Sequence, residues 1–184
     1  MKFTRVYSLG MDCQTAYQIK RYYRYINSGP FDWWITYDYA CVKYLNDPNW
    51  NTLYDRNHLS FKVDRIWNDH YGIELFHEFR DNVNNQIDPL WKEHVENHRV
   101  RTRYLTQRML APGGRILFIR QNDHNDAYED ICSALAKNYL YTPWELVMVN
   151  PPKVDAWQGN DDFWDSVLVK YDVEFDNVEN GSIG

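Results

Sequence analysis

Apolar positions along the chain fall into two kinds of run: short continuous stretches closed by glycine or proline, and longer stretches with apolar residues three or four apart. Residues 6–10 form the first short run and end in Gly10, and Asp12 then offers an N-cap for a helix over 13–25. Cys13, Ala16, Tyr17 and Lys20 share one side of that helix, with Lys20, Arg21 and Arg24 towards its C-terminal half. Ser28-Gly29-Pro30 breaks it, and Phe31-Asp32-Trp33-Trp34 is expected to pack inward around one carboxylate. A second helix is expected over 37–46, stopping at Asp47-Pro48. Residues 50–80 carry a shorter, less certain periodicity. Within them, positions 73–80 alternate strictly and predict a strand that places His77 on one face with Ile73, Leu75 and Phe79. Asp88-Pro89 starts a helix that runs to 110, where Ala111-Pro112-Gly113-Gly114 ends it.

Ile116-Leu117-Phe118-Ile119 is continuous and apolar, as in a strand buried on both faces, and 145–149 reads the same way before Asn150-Pro151-Pro152. Between them Asp126 caps a helix over 127–139. A helix is expected over 161–171, then a short extended stretch, then a frayed tail over 176–184. Strands separated by helices predict a fold of the α/β class, a single domain over 1–175 with three layers, α/β/α, around a mostly parallel sheet.

Composition narrows the function classes. The 184 residues carry 20 Lys and Arg against 26 Asp and Glu, a net charge of −6, which argues against a nucleic-acid partner. The sequence has no apolar run long enough for a membrane span and no signal-peptide pattern after Met1-Lys2-Phe3-Thr4, so a cytoplasmic, non-membrane protein is expected. Three cysteines without C-x-x-C spacing predict free thiols rather than disulfides or zinc. Aromatic residues reach 17%, enough to serve both packing and recognition.

Ligands of an open parallel sheet gather beyond the carboxyl ends of its strands. Those tips are Met11, Asp12 and Cys13; Gln121, Asn122, Asp123 and His124; and Asn150. Cys13 is the most reactive residue among them, since the positive end of a helix dipole and free N–H groups favour a thiolate and can hold an oxyanion. The charge of Asp12 opposes this unless its side chain turns into the cap. The competing reading of Cys13 is a small buried apolar residue. His77 is the first choice of base, against a satisfied core histidine, and His124 is its rival, against an ordinary solvated loop. Asp32 either orients an imidazole as a third catalytic member or caps the following turn. His94 and His98 stand four apart without a third ligand, which falls short of a metal site, and Arg99, Arg101, Arg103 and Arg108 read as a solvated face. Cys41 and Cys132 read as core. No nucleotide-binding or serine-hydrolase motif is present in the sequence, and no cofactor is expected.

Ser8-Leu9-Gly10-x-x-Cys13-x-x-Ala16-Tyr17-Gln18, followed by Pro30-Phe31-Asp32-Trp33, Tyr71-Gly72-Ile73, Phe76-His77-x-Phe79 and Leu117-Phe118-Ile119-Arg120, resembles a bacterial family labelled papain-like cysteine peptidases. The resemblance spans nearly the whole chain and implies Cys13 as nucleophile with His77 as base; Asp32 as orienter comes from the residues alone. The chain lacks the Cys-Gly-Ser-Cys-Trp context of papain itself. A nucleophile at the first strand tip of a parallel sheet looks closer to SGNH esterases, whose Asp and His arrive late in the chain, here around Asp123 and His124 or Asp161 and Asp162.

The leading expectation is a thiol hydrolase or acyl transferase in which His77 takes the Cys13 proton and the thiolate attacks a carbonyl of a small-molecule or peptide substrate. The alternatives are an SGNH-like esterase relative, a non-catalytic module binding a ligand or protein between the strand tips, and a transferase of surface-glycan assembly.

Overall fold

The computed structural model describes residues 2–24, 28–37, 39–62, 65–78, 87–122 and 128–175. It is a mixed α/β protein. Strands β1 (Arg5–Ser8), β5 (Ile116–Gln121) and β6 (Trp144–Val149) form a parallel sheet in the order β1-β5-β6, with Val6 opposite Leu117 and Phe118 opposite Leu146. A second sheet is antiparallel and joins β2 (Leu59–Lys62), β3 (Arg65–Asn68) and β4 (Ile73–Glu74). The helices are α1 (Cys13–Tyr23), α2 (Tyr39–Asn46), α3 (Trp50–Leu53), α4 (Ile87–Leu110), α5 (Tyr128–Asn138) and α6 (Asp161–Leu168).

Successive residues of β5 point to opposite faces, as a pleated strand requires. Leu117 and Ile119 join Val6, Ile19, Trp164 and Leu168 in one apolar cluster, with α1 and α6. Ile116 and Phe118 join a larger cluster that includes Tyr44, Met109 and Leu135, from α2, α4 and α5. Both sides of β5 are therefore dry, which accounts for its unbroken apolar sequence. Polar groups entering the larger cluster are paired: the Tyr44 and Thr106 hydroxyls meet at 2.8 Å, and Trp91 donates Nε1–H to the Tyr54 carbonyl at 2.9 Å. Phe31, Asp32 and Trp34 are buried, in agreement with the inward packing expected of that segment.

The reading of 73–80 as one strand is corrected. Among the described residues 73–78, strand is confined to Ile73 and Glu74; the Glu78 amide donates to the Leu75 carbonyl at 3.3 Å and turns the chain. The Glu78 carboxylate is held by Tyr54 Oη at 2.9 and 2.8 Å and by Trp34 Nε1 at 3.3 Å, which anchors this turn. His77 consequently sits in a turn rather than on an apolar strand face, and Phe79 and Arg80 lie outside the described residues. The sheet expected from the apolar runs at 6–10, 116–119 and 145–149 is present and parallel, and beside it stands the small antiparallel sheet, which the pattern does not predict. Helix α6 stops at Leu168, and Val173 then bridges Phe3 in parallel, with Phe3 N–H to the Asp172 carbonyl at 2.9 Å and Glu174 N–H to the Phe3 carbonyl at 2.8 Å. No described helix is long and apolar enough to cross a membrane. The tail over 176–184 lies outside the described residues.

Candidate functional site

The turn from β1 into α1 is built to hold Cys13 at the start of a helix. Gly10 has φ +77° and Met11 φ +44°, both in the left-handed region. A Cβ on Gly10 would stand 2.4 Å from Thr36 Oγ1, so glycine is required by space as well as by φ. Met11 accepts the Thr36 N–H at 2.8 Å. The buried Arg120 guanidinium donates to the Leu9 carbonyl at 2.8 Å and to the Thr36 carbonyl at 2.8 Å, tying the tip of β1 to the segment that follows the 3-10 turn Pro30–Trp33. Asp12 Oδ1 accepts the Gln14 N–H at 2.8 Å, so this carboxylate turns into the helix cap. Burial pushes the Asp12 carboxyl up, and the cap bond works against that shift.

Beyond these tips lies a cleft of about 960 Å³. Cys13 lines it with Met11 and Asp12 from the first strand tip, Gln121 comes from the tip of β5, and the stretch from Pro151 to Trp157 follows β6. All three strand ends thus contribute, as the general rule for parallel sheets anticipates. Trp33 and Ile35 form a further wall with Phe76 and His77. His77 packs edge-on against the Trp33 ring at 5.2 Å and the Phe76 ring at 4.7 Å between centroids. Cys13 and His77, far apart in sequence, therefore face one space.

The segment after β6 is held down by α1. Gln14 donates Nε2–H to the Trp157 carbonyl at 3.1 Å and accepts from Trp164 Nε1 at 3.3 Å. Gln18 donates to the Gln158 carbonyl at 2.6 Å and to Asp161 Oδ1 at 2.9 Å. A Cβ on Gly159, at φ +83°, would fall 2.6 Å from Gln14 Cδ. At the lip, Tyr17 and Trp157 meet edge to face at 5.2 Å. None of this clamp is singled out by the sequence.

Asp32 does not line the cleft. Its Oδ2 pairs with Lys20 Nζ at 2.7 Å, and the Lys20 ammonium also lies 5.1 Å from the Trp33 ring centroid. Burial pushes the Asp32 carboxyl up against the pull of Lys20. Asp161 is bound by Gln18 and Arg21 and likewise stands away from the cleft lining. Asp123, His124 and Asp126 lie outside the described residues.

The other two cysteines differ in setting. Burial pushes the Cys41 thiol up to about 11 within α2, and Cys132 is half-buried on α5 with its thiol also raised by burial. None of the three is in a disulfide. The His94 and His98 rings stand 6.3 Å apart, and no group of three His, Cys, Asp or Glu side chains gathers as a metal site among the described residues. Arg99 pairs with Glu96 at 2.7 Å. Comparison with protein-family models, with curated proteins and with solved structures gives no match.

Proposed function

We propose that the chain is a cysteine-nucleophile hydrolase or acyl transferase, with Cys13 as nucleophile and His77 as general base. The observation that carries this reading is the shared cleft: the first residue of α1 and the imidazole of the Leu75–Glu78 turn both line it. In the proposed reaction His77 takes the thiol proton, Cys13 Sγ attacks the carbonyl carbon, and N–H groups at the start of α1 take the charge on the oxygen. Asp12, directed into its cap, removes one objection to a thiolate at this position. Asp32, engaged by Lys20, serves the reading less well as an orienter than as the anchor of the wall that carries Trp33.

A nucleophile beside the first strand of a parallel sheet favours an SGNH-like esterase arrangement over that of papain, and an ester or thioester substrate over a peptide. We also read the described elements as one three-layer domain, because alternate β5 side chains feed two separate clusters.

The test is alkylation by iodoacetamide across pH 5–9, with peptide mapping, on the native protein and on Cys13→Ala and His77→Ala. Cys13 is expected to react first, with a pH midpoint below that of an ordinary thiol near 8.5, and the midpoint is expected to rise in His77→Ala. A Cys13 that reacts only on unfolding removes the nucleophile and leaves a binding cleft.

A further inference from the structure

Resting on that hydrolase reading, we infer that the cleft takes an apolar acyl group presented as a small-molecule ester or thioester, and that it is not built to hold an extended peptide. Two features of its walls carry this. The first is the main chain. Peptidases that hold extended substrates commonly pair them with a free strand edge. Here Ile35 has spent both backbone groups on Glu74, N–H to O at 3.0 Å in each direction, and the next N–H, of Thr36, is given to Met11. On the facing wall, Pro151 and Pro152 bring no N–H at all. A peptide laid along Ile35 and Thr36, or along Pro151 and Pro152, finds these N–H groups consumed or missing.

The second feature is the side chains. Trp33, Ile35 and Phe76 are half-buried on one side, Val154 and Trp157 stand exposed on another, and of the charged lining residues Lys153 and Asp155 lie on the exposed stretch beside them while Asp12 is turned into the cap of α1. Apolar walls with a few polar groups near the reacting atoms, in a space of about 960 Å³, suit a small molecule whose chain is hydrophobic and whose carbonyl is the only polar part to be bound.

The chemistry balances with water alone. Cys13 Sγ forms a bond to the acyl carbon, the bond from that carbon to the alcohol or thiol breaks, and the leaving group carries off the proton taken up by His77. Water then adds to the S-acyl carbon, the carbon–sulfur bond breaks, and its proton returns through His77 to Cys13, releasing the acid.

The experiment measures kcat/KM of the native protein on p-nitrophenyl acetate, butyrate and octanoate and on a blocked fluorogenic tripeptide amide. In parallel, tryptophan fluorescence follows binding of octanamide, acetamide and the same blocked tripeptide to Cys13→Ala. The octanoyl ester is expected to exceed the acetyl ester by about tenfold or more, since each buried methylene contributes a few-fold. Trp157→Ala, checked for native melting, is expected to reduce that ratio below about threefold. Octanamide is expected to bind Cys13→Ala at least about tenfold more tightly than acetamide or the tripeptide. Equal rates along the ester series, or cleavage of the tripeptide in preference to the esters, overturns the acyl assignment while leaving a hydrolase. Selective octanamide binding with no ester cleavage by the native protein supports the assignment of ligand class and overturns the hydrolase reading. Absence of selective binding overturns the ligand class whatever the rates.

Discussion

Glu78 is a half-buried residue whose ionisation falls within ordinary changes of pH. Burial pushes its carboxyl up to about 7, against hydrogen bonds from Tyr54 and Trp34 and the charge of Arg101. Around it Tyr54 Oη also meets Thr102 Oγ1 at 2.8 Å, and on α4 burial, with His94 and Arg101, pushes His98 down to about 4. The folded protein holds the Glu78 proton more tightly than the unfolded chain, whose carboxyl titrates near 4.5. Its contribution to stability is therefore fully present below pH 4.5 and lost as pH rises through 7. His98 acts in the opposite sense, with its contribution present above 6.5 and lost as pH falls through 4, so the two slopes oppose each other in the native protein. Glu78→Gln keeps an acceptor for Tyr54 and removes the titration. The unfolding free energy of the variant minus that of the native protein is expected to rise by on the order of 1–3 kcal/mol between pH 5 and pH 8, measured by urea denaturation. A difference that stays flat with pH would show that the carboxylate is not strained by its burial. Because Glu78 fixes the turn that carries Phe76 and His77, its neighbour's place in the cleft depends on the same three hydrogen bonds. Sequence pattern does not reveal Glu78: in an alternating stretch it occupies a polar position like any solvated glutamate.

Among the elements, legibility followed burial. Strands β5 and β6 and helices α1, α2, α4 and α5 have boundaries within a few residues of those their patterns predict, because each has a cap, a breaker or a continuous apolar run. The hairpin of β2 and β3 left no such mark. Its strands are four residues each with mixed exposure, too short for alternation to register. The clamp of α1 on the segment after β6 was equally hidden, since Gln14 and Gln18 sit where a helix normally places solvated polar residues, yet both are buried. Their hydrogen bonds hold a stretch of chain that has no regular secondary structure of its own between Asn150 and Asn160. Gln14→Ala leaves the Trp164 indole and the Trp157 carbonyl without this partner and is expected to cost roughly 1–3 kcal/mol. The more specific expectation is local: amide exchange over 151–160 should rise in Gln14→Ala well before exchange in β5 changes, measured by hydrogen exchange with mass spectrometry. Uniform acceleration across β5 and this segment would mean that the glutamine supports the whole fold and not the cleft wall in particular.

At the scale of the molecule, the site depends on how β1 is held at the outer edge of the parallel sheet. On one side β1 pairs with β5, while on the other the chain returns after α6 and makes a single parallel bridge to Phe3. The Phe3 ring is buried, lies 6.1 Å from the Tyr171 ring and has the Arg115 guanidinium 4.3 Å from its centroid. Lys2 and Glu174 add a surface ion pair at 2.8 Å, exposed enough to matter little. The α/β class was readable from three apolar runs separated by helices, and the strand tips led to Cys13. Long-range contacts that set the β1 edge were not readable, because nothing in the first few residues names a partner some 170 positions away. Phe3→Ala removes a buried aromatic side chain from the cluster shared by β1, α1 and α6 and is expected to cost about 3–4 kcal/mol in urea denaturation. Since the turn of Gly10 and Met11 continues directly from β1, loosening this edge is also expected to make Cys13 more reactive to iodoacetamide at neutral pH without exposing Cys41, which lies on the opposite face in the larger cluster. Equal gains at both thiols would mean that the variant opens the whole core. A loss below about 1 kcal/mol with no change at Cys13 would mean that pairing with β5 alone fixes the strand.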